Sequence, residues 1–191
     1  MLTMKTTFLS KHLSFVFQVA ISFACMATLS GYSFNIAESE VPITFQSILM
    51  VWFAYLFGLR VGLTSVLLYL IAGGLGLKVF SNGGSGWDYF QGANGGFLLA
   101  FPIGALISGI ASDWLKFQEE LQKFKFISSA VVLFVSQGAI LLLGLYWYNS
   151  IAATPESIQK FTPGLLIKTA IGTMAYVVVI RTLFRPNKQQ S

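Results

Sequence analysis

Residues 81–96, SNGGSGWDYFQGANGG, form the one long segment between apolar runs that cannot itself cross a bilayer. Six of these sixteen residues are glycine (Gly83, Gly84, Gly86, Gly92, Gly95, Gly96). Glycine tolerates positive φ and lets backbone approach a ligand closely, so the stretch suits a re-entrant structure or a binding site between two apolar segments. The plainer reading is a flexible connector. Against it stand Trp87, Tyr89 and Phe90, three aromatics in four positions, for which a solvated linker has no use.

On either side of this stretch the chain is apolar. Of its 191 residues 55% are hydrophobic and 10% charged, with a mean hydropathy of +0.72. Soluble domains carry about 25% charged residues, so the composition is that of an integral membrane protein. Spans of about 20 residues are needed to cross a bilayer, which leaves room for about six helices and none for a soluble catalytic domain. The apolar runs cover 13–32, 41–59, 61–77, 95–112, 126–148 and 163–184. The expected fold is an all-α integral membrane protein of six transmembrane helices in one domain. The first run follows Lys5, Lys11 and His12 as in a secretory signal, but exceeds the about 7–15 residues of a signal core.

The twelve basic residues are spread over loops and ends, which speaks against nucleic acid as a partner and for topology. Alternating the loops puts Lys5, Lys11, Arg60, Lys116, Lys123, Lys125, Arg181, Arg185 and Lys188 on one side; Lys78, Lys160 and Lys168 fall on the other. By the positive-inside rule both termini are cytoplasmic. The glycine-rich stretch, the 34–40 and 149–162 loops and Lys168 then gather on the outer face, where an importer would capture its solute.

Enzymatic readings find no partners for their key residues. Gly83-Gly84-Ser85-Gly86 matches the short GxSG pattern of intramembrane serine proteases, but the one histidine, His12, lies at the opposite face and cannot serve as base. Gly164-Leu165-Leu166-Ile167-Lys168-Thr169 ends as a phosphate-binding loop does, yet lacks the second glycine and sits in a membrane run. No zinc-type His and Cys pattern is present, so neither catalytic residues, a metal nor a cofactor is expected. Cys25 reads as a small packing residue. Lys168 is the informative polar position, because an ionisable group in a membrane run is costly and points to function unless it snorkels to the interface. Small residues four apart, Ala20/Ala24, Gly58/Gly62, Gly104/Ser108 and Ala105/Gly109, would let helices approach closely.

Several of these segments occur in a familiar order. Val41-Pro42-Ile43-Thr44-Phe45-Gln46, Phe57-Gly58-Leu59-Arg60-Val61-Gly62, Leu67-Leu68-Tyr69-Leu70, Gly76-Leu77-Lys78-Val79-Phe80 and Gly92-Ala93-Asn94-Gly95-Gly96-Phe97, followed by Pro163-Gly164 and Lys168, resemble the BioY family. That family comprises the biotin-binding membrane subunits, or S components, of energy-coupling factor transporters. The resemblance implies a multi-pass protein of the cell membrane that takes biotin from the outer face and works with a transmembrane scaffold subunit and ATPase subunits. It also implies that Ala20 and Ala24, as an AxxxA pattern in the first helix, dock the scaffold. Candidate solute contacts are Lys168, the loop residues Gly83, Gly84, Gly86, Trp87, Asn94, Gly95 and Gly96, and Gln46. The chain departs from the family where PGDxxK reads Pro163-Gly164-Leu165-Leu166-Ile167-Lys168. The lysine carries over and the aspartate, an acceptor for the ureido N–H groups, does not. Either another acceptor, such as Asn94, Asn82 or Gln46, takes that task, or the solute is another small vitamin-like molecule. A ligand-free structural membrane protein is the alternative from a different class.

Overall fold

The computed structural model describes residues 2–34, 43–118, 124–151 and 155–183. Six helices follow in order: α1 (Leu2–Leu29), α2 (Gln46–Phe57), α3 (Leu59–Gly74), α4 (Gly95–Leu115), α5 (Lys125–Ile151) and α6 (Ile158–Leu183). Between α1 and α2 two short strands, β1 (Ser33–Phe34) and β2 (Ile43–Thr44), pair antiparallel, Ser33 with Thr44 and Phe34 with Ile43. Most of the expected 34–40 loop lies outside the described residues, as do Lys123, Arg185 and Lys188.

The number of helices is as expected, and their bounds differ from the apolar runs. The second run was expected to be helical from residue 41, but Ile43 and Thr44 extend into β2 and α2 begins at Gln46. Both are β-branched and pair readily on a pleated strand. The sixth run was expected to start at Pro163, but α6 starts at Ile158, with the proline in its second turn. A proline in the second turn removes the N–H that would pair with the Gln159 carbonyl, a single lost bond near the start of a long helix.

Among the described residues three helices, α4, α5 and residues Ile158–Val179 of α6, are long and apolar enough to cross a membrane. The 12 residues of α2 reach only about 18 Å, short of the ~30 Å hydrocarbon layer. Irregular backbone at that depth is tolerated only where it is buried in protein or lines a cavity, so a short helix beside a glycine-rich stretch marks where to look for a site.

α4 is the central helix and packs against α2, α3 and α5, while α1 lies against α3 and α6 against α5 and α2. Small residues make these contacts close. A Cβ on Gly62 would run into the backbone of Ala54, one on Gly109 into the backbone of Leu59, and one on Gly104 into Ile140. Ser108 Oγ donates to the Val51 carbonyl (2.7 Å) and Ser112 Oγ to that of Tyr55 (2.5 Å), which fixes α4 on α2. Trp52 Nε1 donates to the Gly172 carbonyl (3.0 Å) and fixes α6 on the same helix. The α2–α3 turn is a single residue, Gly58, at φ +92°. Asp113 closes it: Oδ2 accepts from the Leu59 N–H (3.0 Å), and Oδ1 pairs with Lys116 (2.7 Å).

Because the Gly62 contact is to backbone, Gly62→Ala cannot be relieved by a side-chain rotation and is expected to cost the ~1–3 kcal/mol of overpacking. Thermal unfolding in detergent checks this, with Gly138→Ala as control. A Cβ at Gly138 meets nothing within 4 Å, so that variant should unfold at the wild-type temperature or slightly above.

Candidate functional site

The glycine-rich stretch is anchored by its aromatics. Phe80, fully buried, packs on Tyr69 (ring centroids 5.7 Å apart), Tyr89 (5.2 Å) and Phe90 (5.5 Å). Trp87 stacks on Phe90 at 5.3 Å. Glycines make room for these rings: a Cβ on Gly73 would meet Phe80, one on Gly74 would meet Trp87, and one on Gly84 would meet Tyr89. The Gly86 N–H donates to the Gly73 carbonyl (2.7 Å) and ties the stretch to the end of α3. This is a folded lid over the ends of the helices, and not a connector.

Beneath it lies a cavity of about 310 Å³. The start of α2 supplies Gln46 and Ser47, and the lid supplies Ser81, Asn82, Tyr89 and Asn94. α4 adds Phe97, Leu98 and Phe101, and α5 adds Gln137, Ile140, Leu141 and Tyr148. Glu156 and, from α6, Lys160, Phe161, Gly164, Leu165 and Lys168 complete the wall. The wall is thus mostly apolar and aromatic, with a few polar groups, as in sites for small organic molecules.

The expected site residues separate into two groups. Lys168, Asn94 and Gln46 face the cavity, as does Asn82. Gly83, Gly84, Gly86, Gly95, Gly96 and Trp87 do not line it, and they shape the lid and its join to α4. Gly83 and Gly86 hold positive φ (+71° and +89°), while a Cβ on Gly95 would enter the Phe90 carbonyl and one on Gly96 the Trp147 side chain. Trp87 is 56% exposed and does not line the cavity, whereas Tyr89 does.

Gln46 is buried and its amide has a partner at each end. Nε2 donates to Tyr69 Oη (2.8 Å), and Oε1 accepts from Ser81 Oγ (2.6 Å). Tyr69 in turn donates to the Val79 carbonyl (2.6 Å), so this chain of bonds joins α2, α3 and the lid. Lys168, in the third turn of α6, donates to Ser47 Oγ (3.0 Å), a neutral acceptor. Among the described residues no ion pair neutralises it. Lys160, nearer the mouth, is paired with Glu156 (2.9 Å), and Asn149 holds the Glu156 backbone by two bonds of 2.8 and 3.0 Å. A half-buried cation with no counter-charge among the described residues can offer its ammonium to an anionic or strongly accepting group placed in the cavity.

Sequence reasoning passed over Gln137. It is 3% exposed and faces the cavity, and among the described residues neither its Oε1 nor its Nε2 has a hydrogen-bond partner. The available signal was an amide in the middle of the 126–148 apolar run, where it is nearly as out of place as a charge.

The BioY family model matches residues 4–186. The biotin transporter BioY2 of Lactococcus lactis subsp. cremoris is 31% identical over 176 residues, 89% of this chain and 92% of that protein. A probable biotin transporter BioY of Pyrococcus horikoshii is 29% identical over 120 residues, 63% of this chain and 66% of its own length. The fold is that of a crystal structure of the S-component for biotin from an ECF-type ABC transporter, with a TM-score of 0.74, 21% identity and coverage of 93% and 94% of the two chains. With its long apolar helices the chain is a multi-pass membrane protein, and it belongs to the BioY family.

Proposed function

We propose that this chain is the biotin-binding subunit of an energy-coupled vitamin importer, a single transmembrane domain that captures biotin in the cavity beneath the glycine-rich lid. The observation that carries this reading is a cavity of 310 Å³, at the lower end of small-molecule sites, with the uncompensated Lys168 in its wall, in a chain of this family. Biotin offers a carboxylate and a ureido carbonyl as acceptors for that ammonium, and an apolar bicyclic body for Phe97, Phe101 and Leu165. The subunit performs no covalent chemistry. A transmembrane scaffold and ATPase subunits supply the energy. Uptake of radiolabelled biotin by cells lacking their own biotin transport tests the proposal. Cells expressing the chain with such partners should accumulate biotin above cells expressing the partners alone, and accumulation of a different vitamin in its place would favour another solute on the same architecture.

The cavity opens at the end of the bundle that holds the lid and residues 155–161, while Arg60, Asp113 and Lys116 lie at the other. With both termini cytoplasmic the mouth faces outward. In a background where Cys25 is replaced, a membrane-impermeant thiol reagent added outside should modify Ser85→Cys and Ser157→Cys and spare Gln118→Cys. Strong outside labelling at position 118 would overturn the orientation.

A further inference from the structure

A carboxamide buried from solvent calls for a partner at each end, and among the described residues Gln137, in the wall of the cavity, has a protein partner at neither. Gln46 and Lys168, in the same wall, each have a hydrogen-bond partner. Gln46 is held by Tyr69 and Ser81, and Lys168 donates to Ser47. Leu165 of α6, on the same cavity, offers no polar atom. A planar carboxamide presents one acceptor and donors side by side. It therefore matches a planar edge presenting a donor and an acceptor side by side, as a cis-amide held in a ring does. The cyclic urea of biotin has two such edges, each an N–H next to the shared carbonyl.

We propose that Gln137 is the specificity-determining contact for that ring, with Oε1 accepting from a ureido N–H and Nε2 donating to the ureido carbonyl. The assignment rests on the biotin reading above. It predicts a site selective for cyclic ureas and lactams, where the second hydrogen bond discriminates against rings that lack the carbonyl. Rotation of the amide by half a turn exchanges its two atoms, so the pairing is open to either edge of the ring. Among the described residues no protein group pairs with this amide, so its hydrogen-bonding capacity is left for whatever fills the cavity.

The test is equilibrium binding to the purified full-length protein with three probes: biotin; desthiobiotin, which keeps the cyclic urea and lacks the sulfur ring; and 2-iminobiotin, whose guanidine-type ring is cationic at neutral pH. Gln137→Leu should raise the Kd for biotin and for desthiobiotin by about 5–150-fold, the effect of leaving buried polar groups unpaired. Its solute-free melting temperature should not fall below that of the wild type, since among the described residues the amide has no protein partner to lose. Gln137→Glu should shift the ratio of biotin to 2-iminobiotin affinity at least about ten-fold toward the cation, through a charge-assisted paired contact. Equal biotin affinity in wild type and Gln137→Leu would overturn the role of Gln137 and leave the biotin reading intact. Loss of affinity together with a lowered melting temperature, and no change in the 2-iminobiotin preference of Gln137→Glu, would assign the residue to packing and also overturn it. A wild-type protein that binds none of the three probes would overturn both readings.

Discussion

Lys168→Ala is expected to weaken biotin binding by about 1.5–3 kcal/mol, or about 10–150-fold in Kd, the range for a hydrogen bond made by a charged group. The size follows from the position of the ammonium. Lys168 sits in the third turn of α6, its Nζ is at 3.0 Å from Ser47 Oγ of α2, and no ion pair compensates it among the described residues. A lysine reaching for the outer interface would instead carry its head away from the helix bundle and contribute almost nothing to affinity. The solute-free variant should not lose stability, because it sheds a half-buried charge. Calorimetric titration of the purified variant checks both statements, and an unchanged Kd would remove Lys168 from the site. Leu165→Asp completes the experiment. Positions 165 and 168 share a helical face and both line the cavity. An added carboxylate gives a ureido ring a further acceptor and gives Lys168 a counter-charge. With biotin as solute and another residue already accepting from its ring, this variant should bind as well as the wild type or more tightly, and a solute without a ureido group should bind it less well.

Ala20→Trp is expected to separate transport from binding. Ala20 and Ala24 are both exposed on α1, in a stripe with Val16, Phe17 and Ile21, while Val19, Ser22 and Met26 on the opposite face are buried against the bundle. The pair therefore takes no part in the packing of the described fold, and the small residues leave a shallow strip on which a second apolar helix could lie. Bulk on that strip should cost a docked scaffold about 1–3 kcal/mol of overpacking, about 5–150-fold in assembly, with uptake falling accordingly. Biotin affinity of the isolated subunit should be unchanged, since none of the described residues of α1 lines the cavity. Parallel loss of uptake and binding would place the pair inside the fold.

The membrane class and the six helices were legible because apolar content and span length follow directly from the bilayer as solvent. The ends of the helices were not. Hydrophobicity marks where a chain can be buried, and it does not separate Ile43 and Thr44 in a strand from the same residues at the start of a helix. The glycine-rich stretch stood out by its composition, but composition does not tell which of its residues line the cavity and which shape the backbone around it. Gly84, Gly95 and Gly96 are small because Tyr89, the Phe90 carbonyl and Trp147 occupy the space a side chain would need, a tertiary fact that spacing along the chain cannot express. The polar residues divided in the same way. Lys168 stood out as a charge in a membrane run and faces the cavity, whereas Gln46 and Gln137 look alike in sequence and differ only in whether the fold gives their amides partners.

The most direct test of the central claim is a calorimetric titration of the purified wild-type protein with biotin in detergent or nanodiscs. Saturable binding of one biotin per chain is predicted, with Tyr89 fluorescence changing over the same range of concentration because that ring lines the cavity. Absence of heat and of any spectral change up to millimolar biotin, from protein that still unfolds cooperatively, would contradict it.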